Sequence, residues 1–369
     1  MKKQLALALG LAVISGSALA SKARLEALGE SGNGSQYLMD ARNIFLNPAQ
    51  ANYFKDMVTF ETGSTTNNSD TVAAPNAEGS FLRASGNMVY GAAFGHENST
   101  ITTARQASNA NHPADMNMWD FFVAGDAGVQ WGANLTYGSF KNDQGTNKIA
   151  SDSIRTRLGV ISGDTEAFLM TTISEKAEEK SVSDFKMKSM FNLGVSHNLN
   201  GGTIMLSHTS WEATEGENVA KDDAWKFSGT TLGYGKVSKL NDAASFNWKV
   251  AYSTSETKNS SYDETNGKVT DTALAATMGI ETMVKEWLTL RASVAQNIMS
   301  ENKTDAGKKT AADSTAVTAG ASLVFGDFQI DGMVGNDSTG LAPGATTASG
   351  NGTLRTDSLL SRVSATYRF

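Results

Sequence analysis

From Met57 onward, apolar and polar residues alternate with a period of two in segments of about ten residues, the signature of strands with one apolar and one polar face. In Val129-Gln-Trp-Gly-Ala-Asn-Leu-Thr-Tyr137, the residues Val129, Trp131, Ala133, Leu135 and Tyr137 share one face; Gln130, Gly132, Asn134 and Thr136 share the other. Ala244 to Tyr252 and Leu288 to Ile298 repeat the arrangement, and so does the end of the chain, Leu359 to Phe369. The segments are joined alternately by tight links and by longer polar stretches. Tight links fall at 85–87, 125–128, 162–164, 198–202, 239–242, 284–287 and 325–327, most of them built from Gly, Asn or Asp, which accept hairpin geometry. Longer stretches lie near 64–77, 97–116, 141–150, 175–184, 214–223, 257–270, 300–315 and 336–357. Seven short turns interleaved with eight long loops predict 16 strands, or 14 if the weakly patterned strand near 78–85 and its hairpin are dropped.

An even strand number with short links on one side and long ones on the other predicts an all-β, antiparallel, up-and-down transmembrane β-barrel. Beyond the first residues no apolar stretch approaches the roughly 20 residues of a spanning helix, so a chain in a membrane must cross it as a closed barrel. Met1-Lys-Lys, an apolar run from Leu5 to Ile14 and the Ala18-Leu19-Ala20 ending read as a cleavable export signal over residues 1–20. Residues 21–56 lack the alternation. Lys22 to Leu28 and Gln36 to Phe45 have helical spacing, with a stop at Asn47 before Pro48. Such a segment cannot sit in lipid, and its apolar stripe needs cover, so it is expected to plug the mouth of a barrel formed by residues 57–369.

Composition narrows the function. There is no Cys, which removes disulfide and thiol chemistry, and 35 Gly against 4 Pro suits many tight turns. A net charge of −7 speaks against nucleic acid. The histidines, His96, His112, His197 and His208, show no metal-ligand or hydrolase spacing, so neither enzyme, metal site nor cofactor is expected. With the apolar face outward, Arg155, Arg157, Lys186, Lys188, Lys249, Arg291, Arg362 and Arg368 are expected to line the bore, against Asp120, Glu166, Glu281 and Asp331. That excess predicts a pore passing small polar solutes with a weak preference for anions, unless the charges pair with a plug or inward loop. A face error of one residue would invert any single strand. The stretch 97–116, with Glu97 and Asp115, is the nearest candidate for an inward loop.

A strand ending on an aromatic at Phe369 resembles the closing strand of outer-membrane β-barrel proteins, which carries their assembly signal. The resemblance implies an outer-membrane location among lipid and lipopolysaccharide, contact with the barrel-assembly machinery, and the option of a homo-oligomer. Asn47-Pro48-Ala49, followed by Tyr53-Phe54 and Val58-Thr59-Phe60, resembles the region of long-chain fatty-acid transporter barrels that closes an N-terminal hatch; Met39 to Phe45 is similar to its lead-in. That resemblance covers about 30 residues and implies a hatch containing Asn47, Pro48 and Ala49 and the uptake of hydrophobic molecules. The family's barrels have fourteen strands, and the long apolar stretch of its first loops is missing here. By length and strand count the chain also resembles a general porin. A third alternative is a sealed barrel that serves structure or surface recognition.

Overall fold

The computed structural model describes residues 21–63, 76–108, 112–115, 117–143, 148–216, 223–259, 267–304, 307–310, 315–336 and 359–369. The expected export signal, residues 1–20, lies outside them. The described residues hold one antiparallel sheet of strands β1 (Met57–Gly63), β2 (Asn76–Ser85), β3 (Met88–Phe94), β4 (Trp119–Asp126), β5 (Gln130–Asn142), β6 (Ile149–Ser162), β7 (Thr165–Glu179), β8 (Ser183–Leu199) and β9 (Gly202–Gly216). It continues through β10 (Asp223–Lys239), β11 (Ala244–Asn259), β12 (Lys268–Lys285), β13 (Leu288–Thr304), β14 (Gly307–Thr310), β15 (Thr315–Phe325), β16 (Phe328–Asn336) and β17 (Leu359–Arg368). The four-residue β14 only extends the outer end of β13, and β13 itself pairs with β15, so the wall has sixteen strands.

Each wall strand pairs with its neighbours in sequence, and β17 closes on β1 with Arg368 opposite Met57. The weakly patterned strand is real: β2 pairs along its length with both β1 and β3, which decides for sixteen over fourteen. All seven tight links are hairpins. Gly163 (φ 57°) and the pair Asn200 (53°) and Gly201 (76°) occupy the left-handed region that two-residue hairpins demand. Phe369 continues past β17, donating its backbone N–H to the Asp56 carbonyl at 3.1 Å and stacking on Phe81 at 5.8 Å.

The apolar faces point outward. On β5, Leu135 and Tyr137 are 45% and 49% exposed, whereas Asn134 and Thr136 between and beside them are buried. Phe60, Phe121, Leu158, Leu193, Leu232 and Val334 are likewise exposed on other strands. A continuous apolar belt around a closed wall with a polar interior is the inverse of a soluble core and makes this a transmembrane barrel. No helix among the described residues is long and apolar enough to cross a membrane. The strands differ in length. β8, β10 and β13 have 17 residues each, well beyond the 9–11 or so needed to span lipid, so this side of the barrel extends past the membrane on the long-loop side.

Among the described residues four register shifts interrupt the pairing, two of them between β12 and β13; the other two bear on the charged residues of β7 and β8. Ile173 is the extra residue in β7, where Ile154 faces Ser174 but Arg155 faces Thr172. Lys188 is the extra residue in β8, between the pairs Met187–Ala213 and Ser189–Glu212. One inserted residue swaps the two faces of the rest of its strand.

Candidate functional site

Residues 21–54 lie inside the barrel, touching inward faces on opposite sides of the wall. Helix α1 (Lys22–Ala27) is capped by Ser21, whose hydroxyl accepts from the Arg24 N–H at 2.9 Å. It ends in a Schellman motif, with Gly29 in the left-handed region and the Glu30 N–H donating to the Leu25 carbonyl at 2.9 Å. Only the end of the helix predicted over 36–45 forms: a 3₁₀ turn, Ala41–Phe45, starts at Asp40 because that carboxylate caps the Arg42 N–H at 2.9 Å. Asn47 then caps a second 3₁₀ turn, Pro48–Asn52, with Pro at its first position.

Charge holds this segment to the wall. Buried Arg24 donates to Asp40 at 3.0 Å within the segment and to Glu281 on β12 at 3.0 and 3.3 Å. Arg42 reaches Glu61 on β1 at 2.7 Å and Glu78 on β2 at 2.6 Å. Those two carboxylates sit directly opposite one another across β1 and β2, so they depend on Arg42 and on Lys22, which pairs with Glu78 and donates its backbone N–H to Glu61 at 2.6 Å. Acids of the segment answer bases of the wall: Glu26 pairs with Arg362 at 2.8 Å, and Glu30 with Lys249. Burial alone would lower the pKa of Arg24 and Arg42, but the carboxylates around each outweigh it and hold both guanidiniums charged. Burial pushes the Asp40 carboxyl up despite Arg24 beside it.

Glycines in the wall let the segment come close. Gly132 on β5 and Gly159 on β6 face each other in register and form a flat seat for Asn47, Pro48 and Ala49. A Cβ at Gly132 would collide with the Pro48 carbonyl, and one at Gly159 with the Asn47 side chain. Asn47 and Gln50 both donate to Glu166 on β7, at 3.2 Å and 2.7 Å. Tyr37 lies flat on Gly235 of β10, where a Cβ would come 2.6 Å from its ring.

A second wedge comes from the other side. The stretch after β3 turns into the bore and forms helix α2 (Ser99–Ser108), capped by Asn98 at the Thr100 N–H, 3.0 Å. Ile101 and Ala104 are fully buried against Met170, Phe185, Met187, Met190 and Trp211 of β7, β8 and β9. Arg105 donates to Glu175 at 2.8 Å and to Ser153 at 2.7 Å, and Asp115 takes both ends of the Arg155 guanidinium at 2.8 Å. The wedge meets the N-terminal segment where His96 stacks on Phe45, ring centroids 3.9 Å apart. His96 is buried and neither ring nitrogen has a hydrogen-bond partner; burial, then the Arg157 and Arg42 cations, hold it neutral with a pKa well below the usual histidine range.

Of the eight basic residues expected to line a bore, six face inward. Arg155, Arg157 and Arg291 are almost wholly buried. Arg157 pairs with Asp120 at 3.0 Å, and Arg291 with Glu281 and with Asp331 at 3.1 Å. Lys249 and Arg362 are taken up by the N-terminal segment, while Arg368 makes no ion pair among the described residues. Lys186 and Lys188 are a correction: both are exposed on the outer surface, because the Lys188 bulge swaps the faces of β8 and turns Phe185 and Met187 inward instead. Four buried inward acids lie beyond those expected, Glu61, Glu78, Glu175 and Glu179, although Val58 and Phe60 outward on β1 and Phe81 outward on β2 imply Glu61 and Glu78 by alternation. With them the basic excess of the wall vanishes, and most of its charges are consumed in ion pairs. A cavity of about 140 Å³ remains beside the segment, between Glu30, Ser35 and Leu46 on one side and Met205, Thr231 and Lys249 on the other.

No family model matches the chain, and no curated protein does. Among solved structures it is similar to the CymD monoaromatic hydrocarbon channel, at 10% identity over 93% of this chain and 96% of that one, with a TM-score of 0.42. The toluene transporter TbuX of Ralstonia pickettii follows at 12% identity, 93% and 97% coverage and a TM-score of 0.37. A porin matches at 10% identity, 85% and 99% coverage and a TM-score of 0.39.

Proposed function

We propose that the chain is an outer-membrane transport barrel whose bore is shut by its own residues 21–54, which act as a removable hatch backed by the α2 wedge. The carrying observation is how the hatch is held: Arg24, Arg42, Glu26 and Glu30 dock through reciprocal ion pairs to Glu281, Glu61, Glu78, Arg362 and Lys249. Buried ion pairs fix geometry well but add little net stability, because the desolvation they require offsets their attraction. A lid held this way is specific in position and open to exchange of partners. The even strand number and the long-loop side support the outer membrane, with the wall entering the assembly machinery through β17.

Planar-bilayer recording tests this reading. The intact barrel should be silent or flicker, and a chain lacking residues 22–54, checked for folding by its heat-modifiable mobility on gels, should give large steady steps. Steady steps from the intact chain would sink the hatch.

A second reading concerns cargo. Met170, Met187 and Met190 with Phe185 and Trp211 make an adaptable apolar patch under α2, of the kind that accepts hydrophobic molecules of varied shape. Titration with a long-chain alcohol should change the emission of Trp211 if the solute displaces α2; an unchanged spectrum in a conducting variant points to polar solutes.

A further inference from the structure

On the outer surface, the ladder between β7 and β8 breaks off after Thr171–Phe191 and resumes at Lys176–Lys186. A cavity of about 310 Å³ opens in that gap, lined by Ile173, Ser174, Lys176, Lys186 and Lys188 among others. Glu175 also borders it, but its carboxylate is turned into the bore and bound by Arg105 and Arg155. The charged groups presented outward are therefore three ammoniums.

Lys176 and Lys186 stand directly opposite one another, an arrangement that costs stability in a strand pair. Neither has an ion pair among the described residues, although Asp152 faces Lys176 from β6 and Glu178 and Asp184 lie two residues further out. Lys188 shares Glu212, at 3.5 Å, with Lys226 of β10 at 3.3 Å. The level is as telling as the charge. Ile173, 63% exposed, and Phe191, 40% exposed, are the last outward apolar residues of their strands toward the long loops. The cavity thus sits where acyl chains end and headgroups begin, in the outer leaflet.

We propose that this cavity binds the phosphate of an anionic outer-leaflet lipid of the lipid A class, with Lys176, Lys186 and Lys188 as its partners and Ile173 against the first methylenes. Ammonium–phosphate pairs at a membrane surface are charge-assisted and poorly screened by water on the lipid side. The bulges at Ile173 and Lys188 then have a purpose: they place three lysines outward around one opening.

The test is native mass spectrometry of the detergent-purified full barrel with bisphosphorylated lipid A. K176Q/K186Q/K188Q should weaken retention roughly a hundredfold, at about a fivefold loss per lysine. The triple Arg variant should keep it, and K268Q, on a distant strand, should not alter it. Dephosphorylated lipid A should bind no better to the wild type than to the triple Gln variant. Equal retention by wild type and triple Gln variant, equal binding of the dephosphorylated lipid, or full displacement by millimolar inorganic phosphate would each overturn the proposal, the last in favour of a free-anion site. Heat-modifiable mobility confirms folding, and single K186Q serves should the triple variant fail to fold.

Discussion

Asp115 and Arg155 meet as a two-pronged pair, each carboxylate oxygen 2.8 Å from a guanidinium nitrogen, with both side chains withdrawn from solvent. The pair joins a loop to the wall and, with Arg105 on Glu175, anchors the α2 wedge in the bore. Without Asp115, Arg155 keeps only its longer contact to Glu175 at 3.4 Å, so the loss approaches the cost of breaking a buried pair, about 3–5 kcal/mol. D115A should therefore free the wedge, read as faster hydrogen exchange and protease cleavage within 96–115. D115A with R155M should be milder than D115A alone; equal damage would mean that the pair does not anchor the wedge.

Arg42 separates two carboxylates that face each other, Glu61 and Glu78. R42A should loosen the hatch more than any exposed substitution and produce openings in bilayer recordings. Adding E78Q removes the repulsion and should restore closure in large part. If R42A stays closed, docking depends on other contacts.

The glycine seat gives a steric test that leaves every charge in place. G132A and G159A put a methyl group where Pro48 and Asn47 lie, and overpacking of this kind costs roughly 1–3 kcal/mol. Both variants should form the barrel yet exchange faster over 47–52. Unaltered exchange would show that the seat tolerates a side chain.

His96 sets a pH dependence of definite sign. Its pKa in the closed state lies well below the ordinary value of about 6.5, to which it returns when the wedge and hatch release it. Above pH 6.5 or so both states are neutral and closure is insensitive to His96; below it only the released state takes up the proton, so closure weakens as pH falls. Protection within 96–115, taken as exchange relative to the intrinsic amide rate at each pH, should fall between pH 7 and 5, and H96F, which keeps an aromatic ring against Phe45, should flatten the part due to this residue. An identical pH profile in H96F assigns the dependence elsewhere.

The wall was legible because lipid imposes alternation: Leu135 and Tyr137 must face out, so Asn134 and Thr136 must face in. Arg155, Arg157 and Arg291 follow from the same rule. Lys186 and Lys188 did not, because a bulge is an insertion of one residue with no compositional mark, and it reverses everything up to the end of its strand. The pairing inside the bore was illegible for another reason. Arg24 and Glu281 are 257 residues apart, and nothing in either neighbourhood selects the other. Asp40 was legible in principle as a cap, which would have shortened the helix expected over 36–45.

Closure of β17 on β1 carries a consequence for biogenesis. The N-terminal segment precedes β1 in the chain, but several of its partners, Glu281, Thr318 and Arg362 among them, are made near the end of synthesis. Until they exist Arg24 has only Asp40, and after Met57 has joined Arg368 the seam is shut. Docking of the segment can therefore be completed only once the last strands have arrived, so its seating belongs to the final stage of assembly and not to the strand that follows it in the chain.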